Sequence, residues 1–401
     1  MRRSVVSTIL GLEILALVLV YLQLTGGVRT DEAKYLLSIP YPHPPLLRWI
    51  MASTSALPGH LLFWRFIFAS AVVQASWLVY DLGAVLQRDR RIALILAWLC
   101  SAPVILQGGS VMLIVPTALF GLVLVHRYFD QREHSPRSAP VIALGWLMAL
   151  FSAYQTVLFA PFIFVLLRRT NISRLRAWVY FLVPLALLGV YSLTNPLALA
   201  SMLAVSTQDA VMPIFDRTMN IAFVWLLAGG ALTVFGLLGI ATGRRRTIMV
   251  TSLLVLAYIA LSAQQYYALL LTPLLIGGIF QLFCHRRLRP LLFLSLHFFS
   301  SVLLLWYGLP QMFIPSTDAE VIAFLSDRGL NAPVLIDGYF GHQWQYYSPV
   351  PVRRYSQTLA IEVEDSAFAV ICTKQTTCED DIDRDKWKKL DGAPREVWVK
   401  K

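Results

Sequence analysis

The sequence predicts a polytopic, mainly α-helical membrane protein with a small soluble α/β domain at its C-terminal end. Three observations carry that prediction. Of 401 residues, 57% are hydrophobic and 14% charged, and the mean hydropathy is +0.63; soluble domains are usually about 45–50% apolar and about 25% charged. The apolar residues gather into helix-length runs separated by short arginine-rich segments. The charge also changes character along the chain: residues 1–315 hold 23 Lys and Arg against 9 Asp and Glu, and residues 316–401 hold 11 against 14. This composition excludes an ordinary soluble enzyme, a disordered chain and a disulfide scaffold. The net charge of +11 is no nucleic-acid footprint, because the cations lie in loops between apolar runs, as in cytoplasmic loops.

The first element, Met1–Leu24, begins Met-Arg-Arg and is then apolar. No small-residue cleavage site follows it, so it reads as a first transmembrane helix with a cytoplasmic N-terminus. Residues 25–59 form a first outer loop, since Pro40, Pro42, Pro44 and Pro45 forbid a regular span there. Ten further apolar runs follow, near 61–80, 92–107, 110–126, 139–152, 154–168, 176–195, 219–241, 247–263, 266–283 and 290–309, which gives about eleven spans. With that count the inside segments hold 18 Lys and Arg, and the outside segments through residue 218 hold five. Reading 92–126 or 139–168 as single spans would move the later arginine loops outside, against this bias. Gly108-Gly109-Ser110 and Ser152-Ala153-Tyr154-Gln155 are therefore expected to be outer turns.

Eleven crossings put the polar tail, residues 316–401, outside. Asp318–Arg328 is expected to be an amphipathic helix with Val321, Ile322, Phe324 and Leu325 on one side. Residues 333–337 and 367–372 read as buried strands, and 396–399 as a short edge strand. The segment Asp337–Trp344, which holds His342, fits a turn between strands or a surface that meets a glycan or acceptor. Asp381, Asp383 and Asp385 alternate like a calcium loop, but Lys386 stands where an EF-hand needs glycine. Cys100 and Cys284 read as packing residues, whereas Cys372 and Cys378 are near enough to pair in a tail outside the cytoplasm. No spacing fits a zinc site, and nothing in the sequence supports a cofactor or a divalent cation.

The chemistry is concentrated in the first outer loop, in Thr30-Asp31-Glu32-Ala33-Lys34-Tyr35 and then Tyr41-Pro42-His43-Pro44-Pro45-Leu46. Adjacent carboxylates, a lysine, tyrosines and a histidine stand together at the membrane surface. Lys34 is the only lysine before residue 374, in a loop class where positive charge is disfavoured. Lys34 and Arg48 are cation candidates by position. Glu32 has three open roles: to assist Asp31, to hold Lys34, or to cap a short interfacial helix. His43, between prolines, is expected to contact a sugar or to pack. Glu13, midway along the first helix, is expected to hydrogen-bond to a neighbouring helix. Asp209, Asp216 and Arg217 lie in a long outer loop, 196–218, that would cover the site.

The Asp-Glu-Ala-x-Tyr motif followed by His-Pro-Pro-Leu resembles the first outer loop of membrane glycosyltransferases with the C-type fold. The likeness is to the bacterial branch related to glycosyltransferase family 39, which holds protein O-mannosyltransferases and lipid A aminoarabinose transferases. Phe63-Trp64-Arg65-Phe66 resembles that family's arginine at the start of the second span, and Tyr266-Tyr267-Ala-Leu-Leu-Leu-Thr-Pro273 its late tyrosine-rich span. The resemblance covers roughly residues 1–290. It implies an inverting transferase whose donor is a sugar on a polyprenyl phosphate. Asp31 would be the catalytic base, with Glu32 beside it. Arg65 would face the donor phosphate, with Lys34 and Arg48 as further candidates from position alone; Tyr35, Tyr266 and Tyr267 are candidates to contact substrate, as is His43 if it does not merely pack.

The chemistry fits those residue types: an acceptor hydroxyl needs a positioned carboxylate to take its proton, and a leaving phosphate needs fixed cations. The acceptor would be a lipid-linked glycan, lipid A core, wall polymer or protein. The expected setting is the bacterial plasma membrane, with membrane lipids but no nucleic acid as partners. The sequence departs from the family in two places. Gln107–Val111 lacks a second acid common at that position, and the turn Ser152–Gln155 lacks a lysine. A catalytically altered homologue therefore stays open, as does a transporter or flippase of lipid-linked sugars, although no paired halves are visible in the chain.

Overall fold

The computed structural model describes residues 2–39, 43–130, 135–195, 229–262, 265–285, 287–312, 316–336, 342–354, 367–372, 382 and 385–401. Tyr41, Asp209, Asp216, Arg217, Asp337, Cys378, Asp381 and Asp383 lie outside the described residues.

The protein is mainly α-helical. Its first part runs α1 (Arg2–Tyr21), α2 (Thr30–Leu36), α3 (Leu46–Ala52), α4 (His60–Gln74), α5 (Ser76–Leu82), α6 (Arg88–Leu99), α7 (Ala102–Gln107) and α8 (Ile114–Phe129). It continues through α9 (Ser138–Ser152), α10 (Ala160–Arg168) and α11 (Arg174–Thr194). Later helices cover Gly229–Thr242, Arg246–Ser262, Ala268–Cys284 and Pro290–Met312. Every described stretch of the expected apolar runs is helical apart from short breaks. Among the described residues, two helical stretches, His60–Val85 and Arg174–Thr194, are long and apolar enough to cross a membrane, and eight others are apolar over 10–17 residues. A 16-residue helix spans about 24 Å, less than a hydrocarbon core of about 30 Å.

The helix ends follow local rules. Gly59 takes a left-handed φ of 69° just before α4, a conformation glycine adopts without a Cβ clash. Ser173 caps α11 by accepting a hydrogen bond from the Arg176 backbone N–H. Pro103 and Pro161 stand in the first turns of α7 and α10, where the missing N–H costs nothing.

The helix ends collect at two poles. At one, Arg90 donates to the Phe283 carbonyl at 2.9 Å and Arg169 to the Tyr128 carbonyl at 2.7 Å, and His126 meets Asp81 at 2.7 Å. The arginine-rich segments 88–91 and 168–169 therefore share this pole. At the other, the first outer loop meets the turns after α7 and α9 and the chain entering the tail. There the Ser316 N–H donates to the Thr25 carbonyl at 3.0 Å. The two expected outer turns, 108–110 and 152–155, both lie on this loop pole.

The helix Ala268–Cys284 is apolar all round and is buried from Leu269 to Phe283, as expected of a helix at the centre of a bundle. Its backbone is nearly in contact with the helix Gly229–Thr242: a Cβ on Gly278 would fall 2.0 Å from the Gly236 carbonyl oxygen. Small residues allow this approach, as in other close helix pairs. By contrast, α11 turns Leu175, Trp178, Val179, Leu182, Val183, Leu187, Val190 and Leu193 outward. Glu13 is held as the sequence predicts, by Ser70 at 2.6 Å and Gln74 at 2.8 Å from α4.

Residues 316–401 have their own core. Val321, Ile322 and Leu325 of the helix Asp318–Ser326 pack against Val334, Ile336, Ala369, Ile371 and Val397. The strands are β1 (Val334–Ile336), β2 (Val352–Arg354), β3 (Ala369–Ile371), β4 (Trp387–Lys389) and β5 (Val397–Lys400), in the order β2-β1-β3-β5-β4. β1 is parallel to β2 and β3, and β5 is antiparallel to β3 and β4. The expected helix and three strands are present, but 396–399 is not at the edge. The edges are β2 and β4, with the sequences Val-Arg-Arg and Trp-Lys-Lys, neither of them among the expected strands; cations at the edges discourage pairing with another chain. His342–Tyr347 is a helix rather than a turn. Cys372 is disulfide-bonded, whereas Cys100 and Cys284 are free thiols.

Candidate functional site

At seven residues, α2 is too short to hold alone, so its neighbours fix it. Its first turn holds Asp31 and Glu32 and its last turn Lys34, the arrangement a helix dipole favours. The Glu32 carboxylate reaches back to the Arg29 backbone N–H at 2.9 Å, which realises the capping role. The same carboxylate accepts from Arg65 Nε at 3.0 Å and Nη2 at 2.7 Å, and from the Val111 N–H at 2.9 Å. Glu32 has no exposed surface and Arg65 has 1%. Burial alone would push the Glu32 carboxyl up, but the Arg65 guanidinium and the Arg29 and Val111 N–H groups outweigh it and hold the carboxyl below the usual range.

This arrangement corrects two expectations. Arg65 is not aimed at a donor phosphate. Its remaining contacts run to the carbonyls of Gln23, at 2.8 Å, and Gly27. Glu32 is not a second base, because both of its oxygens are filled by donors. The pair locks α2 to α4 and to the turn after α7. The sequence places no acid in Gln107–Val111; in the structure Glu32 brings a carboxylate to that turn. Gly109 lets the same turn lie close against the end of α1, since a Cβ there would fall 2.4 Å from the Leu19 carbonyl oxygen. Arg29, unnoticed in the sequence, ties the same corner by donating to Gln107 at 3.1 Å and Gln23 at 2.7 Å. Arg48 donates to the Ile39 carbonyl at 3.1 Å, a contact that closes the proline segment on itself.

Asp31 and Lys34 form a second centre on the other side of α2. Lys34 Nζ lies 3.1 Å from Asp31 Oδ1; the lysine side chain is 2% exposed and the aspartate 31%. Asp31 is thus the carboxylate of the pair that solvent can reach, and Lys34 is an ammonium held in a dry setting. His43 comes to this centre across the proline segment. Burial pushes its imidazole down to about 4, with Asp31 opposing and Lys34 adding to the shift, so the ring is neutral near pH 7. Its ring lies 6.0 Å from that of Tyr154, in the turn after α9, a contact no sequence signal marks. Tyr35 is buried in the body core.

Tyr266 and Tyr267 pack with ring centroids 4.5 Å apart and their planes tilted by 49°, and Tyr267 meets Tyr258 edge-on at 4.9 Å. Gln155 donates to Tyr258 at 3.1 Å. These tyrosines therefore form an aromatic wall behind Tyr154 and are joined to the first loop through the Tyr154–Gln155 turn. The tail reaches the loop as well: the Val28 N–H donates to the Tyr347 hydroxyl at 3.0 Å.

The structure thus brings Asp31, Lys34 and His43 together and sets Glu32 and Arg65 behind them as a brace. It leaves Tyr266 and Tyr267 at one remove. Among the described residues no group of three or more His, Cys, Asp or Glu is placed to hold a metal ion. No protein-family model, curated protein or solved structure matches the chain.

Proposed function

We propose that the chain is an integral membrane glycosyltransferase that moves a sugar, with inversion, from a polyprenyl-phosphate donor to an acceptor outside the bacterial plasma membrane. The observation that carries this reading is the solvent-reachable carboxylate of Asp31. It is paired with a buried ammonium and flanked by a neutral imidazole, on a helix braced at the loop pole. That is the equipment for taking a proton from a hydroxyl while a phosphate departs. The acceptor oxygen forms a bond to the anomeric carbon, the bond from that carbon to the phosphate oxygen breaks, and Asp31 takes the hydroxyl proton. The polyprenyl phosphate leaves with the bonding pair, and Lys34 meets its growing charge.

Eleven membrane crossings with the N-terminus inside are part of the proposal. Outward large apolar side chains on α11 and on Pro290–Met312, such as Leu291, Phe299 and Trp306, would be unfavourable in water and suit lipid. The gathering of arginine loops at one pole and of the Asp31 loop at the other agrees with alternating passes. Helices under 18 residues fit a locally thinned or tilted arrangement. The tail then lies outside with the site, where a Cys372 disulfide is stable. Glycan, lipid and protein acceptors all meet the site from that side.

The direct test is transfer from polyprenyl-phosphate sugars by purified protein, paired with mass spectrometry of envelope lipids and glycans with and without the protein. Loss of one sugar identifies donor and acceptor together; an unchanged envelope and no transfer from any such donor refute the reading. A topology test is independent of chemistry. A reporter active only outside the cytoplasm should be active when fused after Lys401 and silent when fused near Arg245. The reverse pattern would remove the placement of Asp31.

A further inference from the structure

The soluble domain does more than hang from the last helix: one of its helices is seated on the Asp31 helix. His342–Tyr347 packs on α2. Tyr347 accepts the Val28 N–H at 3.0 Å, and the chain entering the domain bonds to the first loop through Ser316 and Thr25. Gly27, with φ of 65°, makes room for this seat, because a Cβ there would fall 2.7 Å from the Ser316 side chain. The short helix serves two cores. Trp344 and Tyr347 pack into the domain's own core, while Tyr346 packs against the core of the membrane body. His342 stands four residues before Tyr346 and so shares its face. That face is turned toward α2.

The two histidines near α2 are not equivalent. At His43 the influence of Asp31 exceeds that of Lys34. At His342, lowered first by burial, the influence of Lys34 exceeds that of Asp31. Both imidazoles therefore feel the Asp31–Lys34 pair, His43 from the proline segment and His342 from the helix seated on α2. A neutral imidazole offers one N–H donor. On a helix packed against the one that carries Lys34, it can join that ammonium in holding an anion, since charge-assisted hydrogen bonds to phosphate strengthen where water is scarce.

We propose that His342, delivered by the soluble domain, joins Lys34 in holding the phosphate of the polyprenyl-phosphate donor, so that the domain completes the site of the membrane body. This rests on the glycosyltransferase reading and adds a residue, and a role for the tail, to it. It also explains why the domain is fixed to the first loop at two places rather than tethered freely.

The test is binding, not turnover. Undecaprenyl phosphate is the leaving product whatever the sugar, so the full-length protein in phosphatidylglycerol nanodiscs can be titrated with it without knowing donor or acceptor. Wild type should bind it, and H342A should raise the Kd by about tenfold or more, as loss of a charge-assisted hydrogen bond of about 1.5–3 kcal/mol implies. H342Q, whose amide also donates, should recover part of the affinity; a role in folding alone would not give that rescue. Thermal unfolding of each variant shows whether the domain stays seated, and if H342A does not fold, H342Q and His342→Asn carry the comparison. Wild-type affinity in every folded variant would overturn the role of His342 and leave the glycosyltransferase reading intact. Failure of the wild type to bind undecaprenyl phosphate above phosphatidylglycerol background would overturn both.

Discussion

Asp31→Asn should abolish sugar transfer and leave the protein folded. The amide has the shape of the carboxylate, and its oxygen can still accept a hydrogen bond from Lys34, which lies 3.1 Å from Asp31 in the native protein. It cannot take a proton at neutral pH. General-base catalysis contributes roughly 10²–10⁴-fold, so turnover should fall by at least the lower figure. The affinity for undecaprenyl phosphate should fall much less, because Lys34 and His342 remain. That split separates a base from a binding residue. The measurement is transfer from a polyprenyl-phosphate sugar, with unfolding followed in parallel. Near-full turnover in Asp31→Asn would mean that another group removes the proton.

Disruption of the Glu32–Arg65 pair should cost stability rather than a catalytic step. Both side chains are buried, with Arg65 Nη2 2.7 Å from Glu32 Oε2. Removing one partner from a buried pair costs about 3–5 kcal/mol, because the other charge is left unpaired. In Glu32→Gln the new amide N–H would also face the donors of Arg29, Arg65 and Val111. The result should be early unfolding in detergent at every pH where Arg65 is charged.

The complementary variant gives an opposite pH signature. In the native protein the Glu32 carboxyl titrates below its unfolded value. Its contribution is therefore present above the unfolded pKa of about 4.3 and lost as pH falls through the folded value. In Arg65→Met burial is no longer offset by the guanidinium, so the folded carboxyl should titrate above the unfolded value. Stability should then rise as pH falls from 8 toward 5. A wild-type pH profile in Arg65→Met would show that Arg29 and the backbone donors suffice, and that Arg65 is not the main support of Glu32.

Much of the helical body was legible because burial in a bundle or in lipid demands long apolar runs, and arginine clusters mark where such runs end. The tail helix Asp318–Ser326 and the strands at 334–336, 369–371 and 397–400 were visible for the same reason: apolar residues recur with the period of the element. β2 and β4 were hidden because a three-residue edge strand needs only one neighbour and tolerates charge on its free side. The sequence also marked Asp31, Lys34 and His43 as one cluster, since they lie within thirteen residues of each other. It could not divide the adjacent carboxylates between two jobs. Consecutive residues on a helix point about 100° apart, so Glu32 meets Arg65 and Asp31 meets Lys34, and only the packing of α2 decided which. Nor could it place the helix of His342, three hundred residues away, on α2. That contact depends on how the soluble domain is seated on the first loop, a matter of two folded surfaces meeting, which no local pattern records.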